Sequence, residues 1–156
     1  MSFRKRLARR RVLAVASGGG HWIQMLRLRP AFADCDVHYA TVDKSAAADV
    51  APARLWTFPD SNRDTKLRLV WTALKLGWII LRTRPHIVVT TGAAPGYLAI
   101  RISKIIGARA MFIDSIANAQ ELSLSARLAR RHADRLLTQW PGVARKTNAE
   151  YCGSVI

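Results

Sequence analysis

The chain of 156 residues has little cysteine, little acid and no long apolar run. Its two cysteines, Cys35 and Cys152, stand far apart and fit neither a metal-ligand spacing nor a disulfide framework. Zinc-ribbon and disulfide-scaffold classes are thereby excluded, and a reduced, cytosolic setting is expected. No stretch approaches the roughly 20 apolar residues that cross a bilayer. Residues 1–11 have the basic character of a signal-peptide start, but the apolar run behind them is short and ends in Gly18-Gly19-Gly20, so it serves better as a first strand. Aromatic residues amount to 8%, thin provision for stacking bases. Ten Asp and Glu stand against 25 Lys and Arg, a formal charge of +15. That imbalance calls for an anionic partner (nucleic acid, acidic lipid or a phosphorylated ligand) without choosing among them. Neither a Gly-x-Gly-x-x-Gly fingerprint nor a P-loop with its Lys-Ser/Thr occurs, which disfavours nicotinamide cofactors and ATP; no cofactor and no metal are expected.

What is present alternates. Half of the residues are hydrophobic, enough for one folded domain with a single core. Residues 12–16, 36–42, 54–58, 86–90, 109–113 and 135–138 read as strands, rich in β-branched and apolar residues. Residues 22–32, 65–84, 94–106 and 124–132 read as helices between them. The alternation predicts an α/β, Rossmann-like fold: a parallel sheet with helices on both faces. Residues 1–11 form a basic arm, 12–142 the domain, and 143–156 a polar, irregular tail in which Tyr151, Val155 and Ile156 are candidates for docking a partner. The other reading of that tail is simple fraying.

Three loops carry chemistry. The first is Ser17-Gly18-Gly19-Gly20-His21, between a strand and a helix. Glycines let backbone N–H groups of the first helical turn approach an anion, and His21 at the mouth is a candidate base or donor. The alternative is a turn that needs glycine for packing only. The second is Thr90-Thr91-Gly92-Ala93-Ala94-Pro95-Gly96, which lies on the same carboxyl edge; Thr91 and Gly92 are candidate phosphate contacts there, and the alternative is again a packing turn. The third is Asp114-Ser115, in which Ser115 is a candidate phosphate or acceptor contact. Asp114 either orients a substrate hydroxyl, acts as a base, or caps the next segment.

The helix at 65–84 is apolar over most of its girth. Leu67, Val70, Trp71, Leu74, Trp78 and Leu81 share one face, and Leu69, Ala73, Leu76 and Ile80 a second. Arg68, Lys75 and Arg82 form a basic stripe, flanked by Arg63, Lys66 and Arg84. Trp at headgroup level and snorkelling basic stems suit a membrane interface, so Arg68, Trp71, Lys75, Trp78 and Arg82 are candidate membrane contacts. The competing expectation is that both apolar faces are core.

Taken in order, Ser17-Gly18-Gly19-Gly20-His21, Pro85-His86-Ile87-Val88-Val89-Thr90-Thr91-Gly92, Asp114-Ser115, Leu122-Ser123-Leu124-Ser125, Ala133-Asp134 and Gln139-Trp140-Pro141 resemble the membrane-recruiting (Alg14-like, PssD-like) subunit of two-part UDP-sugar glycosyltransferases. They are similar, more distantly, to the N-terminal half of MurG-like GT-B enzymes. The resemblance implies one half of a split GT-B enzyme in polysaccharide or lipid-linked oligosaccharide synthesis, seated peripherally on the cytoplasmic face of the inner membrane. It implies a polyprenyl-diphosphate-sugar acceptor, a separate catalytic subunit, and a UDP-sugar donor for which UDP-glucuronate is the first guess. It also carries roles over to Gly19, Gly20, His21 and Asp114. The alternative class is a basic nucleic-acid-binding α/β domain, for which no groove-reading motif is present.

Overall fold

Strands that are apolar on successive residues must be covered on both faces, and these are. The computed structural model describes residues 9–60 and 66–155. Strands β1 (Arg11–Val15), β2 (Asp36–Thr41), β3 (Arg54–Thr57), β4 (Ile87–Thr90), β5 (Arg109–Ile113), β6 (Arg135–Thr138) and β7 (Glu150–Tyr151) form one sheet in the order β3-β2-β1-β4-β5-β6-β7. Every neighbouring pair is parallel. The helices are α1 (Gly20–Arg27), α2 (Ala47–Val50), α3 (Lys66–Thr83), α4 (Ala93–Ser103), α5 (Leu124–Ala129) and α6 (Pro141–Lys146).

Alternation along each strand divides the core in two. Leu13, Val15, Val88, Ala110 and Phe112 point to the face covered by Leu76, Ile79 and Ile80 of α3 and by Ala99 and Ile100 of α4. Val12, Ala14, Val89 and Ile113 point to the other, covered by Trp22 and Met25 of α1 and Val50 of α2. Full burial of a side chain such as Leu13 or Phe112 contributes roughly 2 kcal/mol, so the central strands hold the site rigidly from below.

The structure departs from expectation in particular places. The first helix is α1 followed by a separate 3-10 turn, Arg29–Phe32, because Pro30 interrupts the α-helical ladder. Residues 44–50, read as no element, form the 3-10 turn Lys44–Ala46 and α2; Asp43 starts them by accepting the Ser45 N–H at 2.8 Å. The tail is not irregular: Pro141 opens α6, Val143 is buried, and β7 adds a seventh strand. A two-residue strand is too short to show any period, which is why it was illegible. Most of the basic arm (residues 1–8), Arg63 and Ile156 lie outside the described residues.

For α3 the core expectation holds for one apolar face only, and the other is exposed. Leu76 and Ile80 are buried in the core, with Leu69 and Ala73 half-buried. Leu67 (77% exposed), Val70, Trp71 (66%), Leu74, Trp78 and Leu81 face out. Trp78 is held at its inner edge by Trp56, ring to ring at 5.5 Å, and the Lys75 ammonium lies 4.6 Å from its ring centre. Among the described residues no helix is long and apolar enough to cross a membrane.

Two positions test this fold. Arg84 ends α3 in the left-handed region, φ 44°, where a side chain is strained. Arg84→Gly relieves that strain at some cost in unfolded-chain entropy, so a net stabilisation of about 0.5 kcal/mol is expected; a fall in denaturation midpoint contradicts it. Asp134, in the Ala133-Asp134 motif, joins two elements: its Oδ2 accepts Lys104 Nζ at 2.8 Å and the Ala110 N–H at 2.6 Å. The Lys104 hydrogen bond, foremost, holds its carboxyl below the ordinary value of 3.8. A depressed carboxyl stabilises the fold above that value, and the contribution disappears as pH falls below it. Because the side chain is 44% exposed, solvent screening limits the loss in Asp134→Asn to about 1 kcal/mol or less. Urea titrations at neutral and strongly acidic pH should show the variant's deficit shrinking in acid.

Candidate functional site

The strand order reverses between β1 and β4, and in open parallel sheets the crevice at the carboxyl ends beside such a point takes the ligand. Here two glycines stand at its mouth. Gly19, φ 63°, precedes α1, and Gly92, φ 126°, precedes α4; neither helix has a side-chain cap. The first-turn N–H groups of Gly20, His21 and Trp22 in α1, and of Ala93 and Ala94 in α4 (Pro95 has none), therefore have no intrahelical partner and no side-chain cap, and they carry the positive end of each helix dipole. Ala93 opens α4 at φ 64°, a strained conformation for a residue with a Cβ.

The glycines of the first loop divide by role. A Cβ on Gly18 would stand 3.2 Å from Val42 Cγ2, so this glycine serves packing. A Cβ on Gly19 or Gly20 would meet nothing within 4 Å; both border open space. Ser17 is half-buried at the start of the loop.

His21 locks the two loops together. Its Nδ1 lies 2.9 Å from the Thr91 carbonyl oxygen, and the Thr91 hydroxyl donates to the His21 carbonyl at 2.7 Å. A carbonyl only accepts, so Nδ1 carries the proton and Nε2 is left as the basic nitrogen. Gly92 is glycine for a further reason: a Cβ there would stand 2.9 Å from His21 Cε1. Its N–H is received by Thr90 Oγ1 at 3.2 Å.

Three expected ligand contacts prove to be supports. Thr91 is buried with both its hydroxyl and its carbonyl spent on His21, so it positions that ring instead of touching a ligand. Ser115 is buried, its hydroxyl accepting from Gln24 Nε2 at 3.1 Å and from the Ala117 N–H at 3.3 Å. Asp114 is 1% exposed. Its Oδ1 accepts from the Ser115 N–H and Asn118 Nδ2, both at 3.0 Å, and Oδ2 from the Ser123 N–H at 2.8 Å. These three bonds make Asp114 a buried brace of the loop from Ser115 to Ser123, and Ser123 in turn caps α5 through the Ala126 N–H.

Sequence reasoning missed Gln24 and Gln139, both buried at this edge. Gln139 stood in view within Gln139-Trp140-Pro141, but nothing in one sequence says that a strand-end glutamine reaches back to another helix. Tyr151 is exposed on β7, and Val155 is half-buried beside Gln139. Arg68, Trp71, Lys75, Trp78 and Arg82 are all exposed along α3. A cleft of about 610 Å³ lies at the opposite, amino edge among Arg9, Arg11 and Arg29, remote from these amides. No group of three or more His, Cys, Asp or Glu among the described residues is placed to hold a metal ion.

The fold is Rossmann-like and matches one half of GT-B glycosyltransferase and UDP-sugar epimerase folds. The *Acinetobacter baumannii* MurG structure superposes with a TM-score of 0.70 at 11% identity, over 86% of this chain and 43% of MurG. A UDP-N-acetylglucosamine 2-epimerase from *Rickettsia bellii* does so at 0.68 and 12%, over 88% and 40%. At such identities the likeness is one of fold. The particular family follows from sequence. Residues 57–155 match the model of "Oligosaccharide biosynthesis protein Alg14 like", and the chain belongs to that family. Relatives named UDP-N-acetylglucosamine transferase subunit ALG14 include that of *Yarrowia lipolytica*, 31% identical over 85 residues, which cover 50% of this chain and 39% of the relative. The mouse relative of that name is 23% identical over 180 residues, covering 94% and 83%. The chain thus spans about two fifths of the length of the first and most of the second.

Proposed function

We propose that this chain is the acceptor-binding and membrane-seating subunit of a two-chain UDP-sugar glycosyltransferase. The observation that carries the reading is the paired, uncapped first turns of α1 and α4, locked by His21 and Thr91 at the strand-order switch point. Two sets of free amides on one crevice suit the diphosphate of a polyprenyl-diphosphate sugar and need no metal to offset its charge. Nε2 of His21 faces the same chemistry, either taking the acceptor hydroxyl proton or, protonated, donating to the diphosphate. The exposed face of α3, edged by Arg68, Lys75 and Arg82, lies on the lipid, so the chain sits peripherally on the cytoplasmic face of the membrane where polyprenyl acceptors are presented. Tyr151, Val155 and Ile156 belong to the docking surface for the catalytic subunit, which holds the donor. UDP-glucuronate is the first donor to test, beside the UDP-N-acetylglucosamine of the relatives' names, and exopolysaccharide assembly is the setting.

Flotation with vesicles, with and without a polyprenyl-diphosphate sugar, tests the reading for this chain alone. The acceptor lipid should tighten binding, and His21→Ala should abolish that increment while leaving binding to plain anionic vesicles intact. Trp71→Ser with Leu74→Ser should weaken both by about a hundredfold, the loss expected for two apolar side chains withdrawn from lipid. Tightening that survives in His21→Ala removes the diphosphate from this crevice.

A further inference from the structure

Gln24 and Gln139 form a buried amide relay, and its connections are fully determined. Gln24 Nε2 donates to Gly20 O at 3.3 Å and to Ser115 Oγ at 3.1 Å; its Oε1 accepts the Ile116 N–H at 3.2 Å and Gln139 Nε2. Gln139 Nε2 also donates to Asp114 O at 3.0 Å, and Gln139 Oε1 accepts the Val155 N–H at 2.8 Å. Each amide has a backbone carbonyl at its nitrogen end and a backbone N–H at its oxygen end. Neither can be flipped without setting oxygen against oxygen, so the direction of the relay is fixed by partners that cannot change role. Gln139 is 2% exposed, and a buried amide left with a missing partner is costly, so the relay keeps all its bonds or moves as a unit.

The relay's inner end is the carbonyl of Gly20, next to His21 in the first turn of α1. Its outer end is the segment after β7. That segment is tied down twice more: Ser154 Oγ donates to Gln139 O at 2.9 Å, and Arg27 Nη1, from α1 itself, to Val155 O at 3.3 Å. Between the ends, the relay holds the Asp114 loop. It therefore joins three things that are distant in sequence: the anion-binding turn, the loop beyond β5, and the exposed stretch around Tyr151.

We infer that Gln24 and Gln139 are positioning residues that couple the Ser154 and Val155 segment to the anion-binding turn at His21, so that the bonds made at residue 155 set how tightly that turn holds a diphosphate. The inference rests on the proposed function for what the turn binds. The coupling itself rests on the hydrogen bonds alone. It also gives the Gln139-Trp140-Pro141 motif a purpose: Gln139 reaches Gln24 of α1 from the residue after β6, and Pro141 then starts α6 and turns the chain away.

The test uses inorganic pyrophosphate as the probe and the full chain, with the imidazole Cε1–H resonance of His21 followed by NMR and affinity by calorimetry. Val155→Pro deletes the N–H at the outer end, at a residue outside both core clusters, and Val155→Ala, which keeps the N–H, is the control for the changed side chain. Pyrophosphate should bind Val155→Pro about fivefold more weakly, the loss of one hydrogen bond's worth of positioning, and the free His21 resonance should move although residue 155 does not touch it. Gln139→Met should lose about tenfold. Gln139→Glu should lose more at neutral pH, where a carboxylate oxygen faces two acceptors, and should recover relative to wild type in acid, where its O–H can donate again; a merely structural role gives no such pH profile. Wild-type affinity and an unmoved His21 resonance in folded Val155→Pro overturn the coupling. A wild-type protein whose His21 resonance does not respond to pyrophosphate overturns the anion site instead, and the two failures are told apart in the same titrations.

Discussion

Replacing Gly92 with alanine should lower sugar transfer by the proposed two-chain enzyme about a hundredfold, the scale on which a displacement of order 1 Å costs catalysis. Two facts combine at this residue. Its φ of 126° is one that side chains rarely adopt, and its new Cβ would stand 2.9 Å from His21 Cε1 and 3.0 Å from Nδ1. The imidazole must swing away, which breaks its hydrogen bond to the Thr91 carbonyl and frees the tautomer that the bond fixes. Because the damage runs through His21, it should not add to the loss of that ring. In a double-mutant cycle, Gly92→Ala placed on His21→Ala should cost little further activity, while its cost in stability, roughly 2 kcal/mol from backbone strain, should persist. Additive losses in activity would mean that Gly92 acts on the ligand directly.

Gly96→Ala should be the most destabilising single methyl in the domain. A Cβ at this position of α4 would stand 2.2 Å from Thr90 Oγ1 and 3.2 Å from Thr90 Cβ and Cγ2, inside a fully buried contact. The helix cannot back away, since Ala99 and Ile100 of α4 are fixed in the core. Thr90 cannot rotate freely, since its hydroxyl receives the Gly92 N–H. Overpacking of this kind costs about 3 kcal/mol, or roughly 10 °C in melting temperature for a chain of this size. Adding Thr90→Ala should restore part of the loss by emptying the contested volume, although the Gly92 N–H then has no acceptor. A Gly96→Ala protein with the wild-type melting temperature would show that α4 is not packed this tightly on β4.

What the sequence made legible follows from period and punctuation. The buried strands at 87–90 and 109–113 were read almost to the residue, because apolar runs bounded by Pro85, Gly107 and Asp114 admit few alternatives. The glycine loops were read as ligand loops, but Gly18 and Gly19 look alike in sequence, and only the position of Val42 separates packing from approach. Asp114, Ser115 and Thr91 were chosen as polar residues at a sheet edge, which is where they are. Whether such a group meets a ligand or its own loop depends on contacts across tens of residues, such as that of Ser115 with Gln24, and periodicity carries no trace of them. The two faces of α3 were equally apolar on paper. The structure separates them because the sheet can cover only one side of a helix.

The central claim is tested most directly by a transferase assay in membrane fractions, with a polyprenyl-diphosphate sugar as acceptor and a panel of radiolabelled UDP-sugars as donors. It is run with this chain, with its candidate catalytic subunit, and with both. Label should pass to the lipid only when both chains are present, and the sugar transferred names the donor. Transfer by this chain alone, or none by a correctly folded pair, would contradict the account.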